Sequence, residues 1–430
     1  MPTRVASSTG TGPRQRIRPE RRSRGDVIVA VVLTLGLLAA AIVLWRTSDA
    51  AGTESVTATA PFAETAPAGA VPAGFTEAWH APSAATPELL VAGSGVVTAD
   101  GSAVTGHDAR TGATLWSYTR DVPLCTVGSA FPTLDNGLGR VLALYQGHTG
   151  WCSELTELHA GTGARAAARN PDLRPGTQLI SNSTLVAGTG GDYIEVLRYD
   201  LVLTLEYGNV PTPVQNDKQP RTGCAYGSTA IADGRLGVIE RCPGEATDRL
   251  SVISPEGKDG SDKPQQLFSV LLPAAGATLV AVSGDREVVA LPNPARLMVL
   301  DKDGLAITTS PLDVPAADLT RELPGRVAPV QAAAGTLFWW TGSETVALNA
   351  LDLTPMWTLP ATLGPAAAYG SSLLVPVRGG LADVDPERGT VRRTIPVTRA
   401  DPDAPVRIAA AGDVLVEKRG PEVVALTPTP

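Results

Sequence analysis

The sequence predicts an all-β domain of repeated four-stranded sheets, preceded by one helix that is apolar enough to cross a membrane. Three observations support this prediction. A unit of short apolar strands and tight turns returns seven times between Leu89 and Thr427, once every 35 to 54 residues. The composition, 43% apolar with 44 Gly and 36 Pro, is typical of many short strands joined by turns. A charge-free run of 19 residues lies ahead of the repeats.

The charge-free run covers residues 27–45 (VIVAVVLTLGLLAAAIVLW) and contains no proline. As a helix rising ~1.5 Å per residue it spans about 28 Å, close to the thickness of a bilayer's hydrocarbon core. Residues 1–26 hold seven arginines against Glu20 and Asp26. Because loops rich in arginine stay in the cytoplasm, we expect residues 1–26 to form a disordered cytoplasmic tail. The sequence therefore predicts a single-pass plasma-membrane protein whose repeats lie outside the cytoplasm.

A cleaved signal peptide is the alternative interpretation of the same segment. The apolar stretch of a signal peptide is typically about 7–15 residues long, which is shorter than residues 27–45. No cysteine follows that could undergo lipoprotein processing. A retained anchor is therefore the favoured interpretation. The arginines of the tail have two possible uses, contact with anionic lipid and docking of a cytoplasmic partner.

Residues 46–74 separate the apolar run from the repeats. They are rich in Ala, Thr, Pro, Ser and Glu and show no strand or helix periodicity. A segment of this composition buries too little apolar surface to fold alone, so it predicts a disordered tether. The folded domain is then expected to cover residues 75–430.

The repeated unit predicts one blade of a β-propeller. Its best copies are GVVTADGSAVTGHDARTGATLW, which ends at Trp116, and TLFWWTGSETVALNALDLTPMW, which ends at Trp357. Four short antiparallel strands cannot bury both of their faces alone, so such sheets stack around an axis. We assign the seven complete blades to residues 88–119, 125–169, 177–210, 224–271, 277–312, 327–361 and 366–398.

The last repeat is incomplete in the chain order. Residues 406–427 supply only three strands, and the segment FTEAWH at 75–80 supplies a fourth, with Trp79 placed as Trp116 and Trp357 are. A ring closed by a strand from the other terminus has no open edge. We therefore predict eight blades. A seven-bladed ring is the alternative, because the fourth unit is long and the seventh is short.

Two residue types recur at fixed places in the units. Asp108, Asp200, Asp301 and Asp385 follow third strands, where an aspartate can accept hydrogen bonds from the next backbone N–H groups and hold a tight turn. Trp79, Trp116 and Trp357 end fourth strands, where we expect them to pack between neighbouring blades. Trp339 and Trp340 are adjacent on one strand, so they point to opposite faces of their blade, and we expect both to be buried.

The unit AVTGHDARTGATLW resembles the pyrroloquinoline-quinone-type propeller repeat, with its Asp-x-x-Thr-Gly turn and Leu-Trp strand. The full pattern covers residues 104–116, and residues 344–357 and 380–395 match in part. This resemblance implies the propeller fold of quinoprotein alcohol dehydrogenases and of the lipoprotein that scaffolds outer-membrane β-barrel insertion. Quinoprotein dehydrogenases carry adjacent cysteines against the cofactor, and this chain has no Cys-Cys pair. We therefore expect a non-catalytic, membrane-anchored member without a cofactor. Arginine outnumbers lysine about six to one, which we interpret as an actinobacterial coding bias.

The chain has four cysteines, all on the side predicted to be oxidising. An even number there indicates disulfides, and four cysteines allow three pairings. The repeat places two cysteines in the second blade and two in the fourth, each pair on one face of the disk. We therefore predict the bonds Cys125–Cys152 and Cys224–Cys242, each stabilising the fold by about 3 kcal/mol. A free redox pair is the alternative. Neither spacing is Cys-x-x-Cys, which disfavours zinc and thioredoxin chemistry.

The sequence shows no catalytic or metal-binding motif. The four histidines are scattered, and no Gly-x-Ser-x-Gly elbow, phosphate loop or dinucleotide fingerprint occurs. The candidate binding surface is the loop GHTGWC, in which His148 and Trp151 lie beside Cys152. From residue 47 onward the chain holds 27 basic and 41 acidic residues, and so acidic a domain repels nucleic acid.

These features together predict a membrane-anchored extracytoplasmic β-propeller that binds or scaffolds proteins of the cell envelope. A quinoprotein-like oxidoreductase and an extracytoplasmic ligand sensor are the alternatives. The closed disk and the anchor favour the binding module, whereas the repeat resemblance alone would also fit the oxidoreductase.

Overall fold

The computed structural model describes residues 23–46, 48–147, 149–211, 218–256 and 263–429. The chain divides into two compact units, one that ends at Thr53 and one that begins at Glu54. The first unit contains the helix Arg24–Arg46, which starts with a reciprocal cap between Ser23 and Asp26. None of the helix residues is buried by the chain, and its length and composition would allow it to cross a membrane.

The described part of the second unit contains eight antiparallel sheets, which we number as blades 1 to 8 along the chain. Blades 1 and 2 contain the strands Leu90–Ala92, Gly95–Asp100, Ala103–Asp108 and Thr114–Arg120, and Leu124–Ala130, Arg140–Tyr145, Glu154–His159 and Arg165–Arg169. Blades 3 and 4 contain Leu179–Ser181, Leu185–Gly190, Tyr193–Arg198 and Leu203–Gly208, and Ala225–Ala232, Arg235–Arg241, Arg249–Ser254 and Gln265–Leu271.

The other four blades have the same up-and-down order. Blades 5 and 6 contain Thr278–Val282, Arg286–Pro292, Ala295–Asp301 and Ala306–Pro311, and Val330–Ala333, Thr336–Trp340, Thr345–Asn349 and Pro355–Leu359. Blades 7 and 8 contain Ala367–Tyr369, Ser372–Val377, Gly380–Val384 and Val391–Pro396, and Val406–Ala411, Val414–Arg419, Glu422–Pro428 and Phe75–Pro82. Short helical turns lie at Asp135–Gly137, Ala316–Thr320 and Pro324–Arg326.

The ring closes as the sequence predicts, with eight blades. Phe75–Pro82 pairs antiparallel with Glu422–Pro428, so the fourth strand of blade 8 comes from the N-terminal side of the propeller. First strands touch one another in most pairs of neighbouring blades, which places them around the central axis. In this meander the first and third turns of every blade lie on one face of the disk. The second turns and the connections between blades lie on the opposite face.

Each blade buries both of its faces against its neighbours. The buried apolar residues fall into eight clusters, and each cluster joins two successive blades, including blades 8 and 1. The clusters consist mainly of Val, Leu and Ala, as a chain with only 4% aromatic residues requires. Trp339 and Trp340 are both buried, and Trp339 packs between blades 5 and 6.

The three recurring tryptophans dock one blade onto the next. In each case the indole N–H donates to a backbone carbonyl in the third turn of the following blade. Trp79 donates to Ala109 (2.9 Å), Trp116 to Ala160 (3.1 Å) and Trp357 to Pro386 (2.9 Å). Each ring lies against a glycine with positive φ, where a Cβ would come within 2.7 Å: Gly112, Gly163 and Gly389. The turn aspartates accept backbone N–H groups, as Asp108 does from Thr111 at 2.8 Å. Both residue types are therefore structural.

Residues 54–74 differ from the tether that their composition predicts. Thr53–Val56 forms a fifth strand on the outer edge of blade 1. Phe62 is only 4% exposed and packs between blades 1 and 2, and Val71 is buried between blades 7 and 8. The prediction of a disordered tether is thus wrong from Glu54 onward, because isolated apolar residues insert into clefts between blades. We call residues 57–74 the strap.

Candidate functional site

The structure contains the two disulfides that the repeat predicts. Cys125 is bonded to Cys152, 27 residues later, and Cys224 to Cys242, 18 residues later. The first pair joins the first strand of blade 2 to the loop before its third strand. The second pair joins the start of the first strand of blade 4 to the end of the next. Both bonds therefore lie on the face formed by second turns and inter-blade connections, which we call the disulfide face.

The cysteines of blade 4 lie close to a carboxylate, yet they do not form a metal site. The two Sγ atoms and a carboxylate oxygen of Glu240 lie within 4.8 Å of one another. The sulfur atoms are bonded to each other, so neither is available as a thiolate ligand. Glu240 already accepts from Tyr207 Oη at 2.6 Å and from Arg221 Nε at 3.0 Å. This group is a satisfied structural cluster.

Trp151 stands at the edge of the disulfide face, beside Cys152. Its ring is half-buried, and the Arg174 guanidinium lies 3.7 Å from the ring centroid. Arg174 also donates to the carbonyl of Asp172 at 2.7 Å, and the N–H of Cys152 donates to the carbonyl of Leu173 at 3.0 Å. The loop that carries Trp151 is thereby fixed to the connection between blades 2 and 3. His148, the other residue predicted for this surface, lies outside the described residues.

A buried acidic cluster lies in blade 3, below Arg174. Tyr193 Oη donates to Glu206 at 2.8 Å, and Glu195 accepts from Arg169 at 3.1 Å. Burial raises the pKa of the Glu195 carboxyl, and the Asp172 backbone N–H and Arg169 oppose this shift. Burial and the nearby Glu195 raise the pKa of Tyr193 above its usual range. The polar groups of this cluster lie beneath the stacked side chains of Arg174 and Trp151.

The connection between blades 5 and 6, residues 313–329, crosses the disulfide face near the axis. The Asp318 carboxylate accepts from Thr341 Oγ1 at 2.6 Å, which ties one end to blade 6. The carbonyl of Gly325 accepts from Thr189 Oγ1 at 2.6 Å, which ties the other end to blade 3. A Cβ at Gly325 would lie 2.2 Å from Gln178, so only glycine permits this approach. We call this segment the crossing loop.

The crossing loop, blades 6 and 8 and several connections between blades line a half-open cavity of about 460 Å³ near the axis. We call it the axial pocket. Arg321 of the crossing loop, Arg407 and Lys418 of blade 8 and Trp340 of blade 6 line it. Much of the remaining wall is proline, at positions 87, 324, 329, 365 and 405. Sequence reasoning missed this site, since Arg407 and Lys418 lie on one hairpin of blade 8 but only the closed ring brings Arg321 and Trp340 to them.

The three cations of the axial pocket differ in their partners. Lys418 Nζ donates to the carbonyls of Ser83, at 2.9 Å, and Gly420, and burial lowers its pKa to about 8. The Arg321 guanidinium lies 4.8 Å from the Trp340 ring centroid. Burial lowers the pKa of Arg321, Asp318 opposes this shift, and the charge of Arg407 adds to it. Arg407 Nη1 lies 2.6 Å from Glu88 Oε2.

A larger cavity, of about 800 Å³, lies between blades 7 and 8 on the same side. Two carboxylates oppose its two arginines, because Arg399 pairs with Glu417 at 2.8 Å and Arg419 pairs with Glu417 at 2.7 Å and with Glu77 at 3.8 Å. Glu417 is fully buried, so the pair is a structural bridge between the blades.

The eight closed sheets define the chain as an eight-bladed β-propeller. No protein-family model and no curated protein matches it. Among solved structures it is similar to BamB from Moraxella catarrhalis, with 14% identity and a TM-score of 0.48 over 82% of this chain and 99% of that chain. It is also similar to apo AztD from Citrobacter koseri, with 15% identity and a TM-score of 0.46 over 77% of this chain and 88% of that chain. A third similar structure is dihydro-heme d1 dehydrogenase NirN in complex with DHE, with 14% identity and a TM-score of 0.49 over 81% of this chain and 78% of that chain. These similarities concern the fold alone.

Proposed function

We propose that the protein is a membrane-anchored extracytoplasmic propeller that binds or scaffolds proteins of the cell envelope and catalyses no reaction. The observation that carries this proposal is the helix Arg24–Arg46, whose apolar side chains are all left exposed by the chain. An apolar surface of that size is unfavourable in water and favourable in a bilayer. The propeller is then the part that meets partners.

The expected topology follows from charge and from the cysteines. The arginines ahead of the helix favour a cytoplasmic N-terminus, which places the propeller outside. Disulfides persist in oxidising compartments, and the propeller has two. Both arguments give the same orientation in the plasma membrane, with residues 1–26 as the cytoplasmic tail and residues 27–45 as the span.

The disulfide face is the part of the propeller that we assign to partner binding. Loops fixed by a rigid scaffold are the usual place for recognition. Tryptophan and arginine are, with tyrosine, the residue types enriched among those that contribute most to binding energy at protein interfaces. The stacking contact and the disulfide hold Trp151 and Arg174 in place. A preordered aromatic side chain loses little conformational entropy on binding.

Photo-crosslinking in living cells tests this assignment. A benzoylphenylalanine at position 151 is expected to capture one or more envelope proteins. The matched control is the same residue at position 351, because Leu351 is highly exposed and lies in a third turn, on the opposite face. The same captured proteins from both positions, or none from position 151, would contradict binding by the disulfide face. Recovery of the chain from the medium, shortened after the helix, would contradict the anchor.

A further inference from the structure

The lining of the axial pocket is positively charged. Arg321, Arg407 and Lys418 line it, and none of the described residues that line it is acidic. The carboxylates that oppose these charges are not part of the lining: Glu88 contacts Arg407, whereas Asp318 and Asp100 act on Arg321 and Lys418 without a salt bridge. The domain as a whole is strongly acidic, so this excess of cations is a local feature.

Lys418 is the clearest sign of an unmet requirement. The residue is only 7% exposed, and its Nζ donates to two backbone carbonyls. Asp100 and Glu88 favour its charged form, but none of the described carboxylates lies within salt-bridge distance of Nζ. A buried ammonium without a carboxylate in contact is stabilised less than a directly paired one, so an anion bound at Nζ would stabilise it.

Arg321 and Arg407 provide the second, independent sign. The two guanidinium groups lie near enough to repel each other. Arg321 Nε is buried and has no hydrogen-bond partner among the described residues. The repulsion between the two arginines opposes this position of the crossing loop. The stacking of Arg321 on Trp340 and the hydrogen bonds of Asp318 hold the loop there. An anion between the two arginines would remove the repulsion and would pair the free N–H.

The remaining walls of the pocket indicate which kind of molecule bears the anionic group. The five prolines of the wall have no N–H to donate, and the Trp340 ring and the side chain of Leu363 add apolar surface. A volume of about 460 Å³ is within the range of small-ligand sites. The cavity between blades 7 and 8 is larger, but Glu417 and Glu77 pair with its two arginines directly.

We propose that the axial pocket binds a carboxylate borne on a compact apolar body, with the carboxylate held by Lys418, Arg321 and Arg407 and the apolar body against Trp340 and the proline wall. The carboxylate belongs either to a free organic acid or to an acidic side chain in an apolar segment of a protein. This binding goes beyond the proposed scaffold role and does not depend on it.

Equilibrium dialysis of 2-naphthoate against the full chain in lipid nanodiscs tests the proposal, with empty nanodiscs to correct for partition into lipid. The uncharged isostere 2-naphthamide is the matched ligand. We expect one 2-naphthoate site per chain and at least tenfold weaker binding of the amide, because charge-assisted hydrogen bonds to a buried anion are worth about a factor of ten or more. Equal binding of the two ligands would overturn the proposal.

Variants locate the site. Lys418→Met and Arg321→Met are each expected to weaken 2-naphthoate binding at least tenfold and to leave 2-naphthamide binding unchanged. Arg198→Met is the control, because Arg198 is an exposed arginine of blade 3 outside the pocket. Thermal unfolding of each variant verifies that it is folded, and Lys418→Gln replaces Lys418→Met if the latter is not. Full 2-naphthoate affinity in both folded pocket variants would overturn the assignment.

Competition identifies the source of the carboxylate. The peptide acetyl-Leu-Glu-Leu-amide is compared with acetyl-Leu-Gln-Leu-amide as a competitor of bound 2-naphthoate. Displacement by the Glu peptide alone supports an acidic protein segment as the occupant. No displacement by either peptide, with 2-naphthoate still bound through Lys418, supports a free organic acid. Equal displacement by both peptides would contradict recognition of the carboxylate.

Discussion

Truncation of Phe62 is expected to release the strap while the ring of blades stays folded. The Phe62 ring lies 6.5 Å from the Trp116 ring, centroid to centroid, and rests on Gly95, where a Cβ would be 2.2 Å from it. Replacing a buried Phe by Ala costs about 3–5 kcal/mol. Because the strap can lift without opening a blade, we take the lower figure, about 3 kcal/mol, as the loss in the free energy of local opening.

That loss predicts a large change in proteolysis. Since about 1.4 kcal/mol is a factor of ten, the open population of the strap rises roughly 100-fold in Phe62→Ala. Glu64 is exposed and lies two residues beyond Phe62, so a glutamate-specific protease reports strap opening there. When reclosing is faster than cleavage, the cleavage rate follows the open population.

The control is Thr59→Ala, because Thr59 is an exposed residue of the same strap. Its cleavage rate after Glu64 is expected to match the unmodified chain. The reasoning is refuted if Phe62→Ala accelerates cleavage by less than about threefold. It is refuted equally if sites within the blades become as sensitive as Glu64, since that would mean global unfolding.

Three further predictions concern buried charge and the disulfides. Burial raises the pKa of Glu287 to about 7, with Arg235 opposing the shift, so the free energy of unfolding should fall by about 3 kcal/mol as pH rises from 4.5 through 7. Glu287→Gln should flatten that slope in urea titrations at several pH values, and an unchanged slope would exclude Glu287 as its cause. Burial lowers the pKa of Lys418 to about 8, so the folded chain loses this proton at a lower pH than the unfolded chain does. The free energy of unfolding should therefore rise between pH 8 and 10.5. Lys418→Met should abolish this rise in the same urea titrations, and an unchanged rise between pH 8 and 10.5 would exclude Lys418 as its cause. The double change Cys125→Ser and Cys152→Ser should lower the free energy of unfolding by about 3 kcal/mol, and a loss below about 1 kcal/mol in the same titration would show that the bond contributes little.

The repeat made most of the propeller predictable from the sequence. Short apolar strands separated by Gly and Asp turns give the blade boundaries to within about three residues, because the alternation of strand and turn is local. The closing strand was predictable for a different reason: Trp79 repeats the position of Trp116 and Trp357. The disulfide pairs followed from the blades, since only one pairing joins cysteines of the same blade.

The strap and the axial pocket could not be predicted in this way. Phe62 and Val71 are single apolar residues in a stretch of Ala, Pro and Thr, so they carry no periodicity. Their sites are clefts formed by residues far away in the chain, such as Gly95 and Trp116 for Phe62. Arg407 and Lys418 are cross-strand partners in a hairpin of blade 8, and only the closed ring brings Arg321 of the crossing loop to them. The length of the crossing loop, residues 313–329, was the one available signal.

The order of attachments along the chain explains what the strap adds to the closed ring. The ring is held shut by pairing of Phe75–Pro82 with Glu422–Pro428, which is not a covalent joint. The strap supplements that joint, because Arg393 of blade 7 donates to the carbonyl of Val71 at 2.7 Å, next to the closing strand. Tension that enters from the helix side reaches Thr53–Val56 on blade 1 first and Phe62 second. Along the chain the closing strand comes after both of these attachments and after buried Val71, so a pull from the N-terminal side is resisted at three places before it reaches the closing joint.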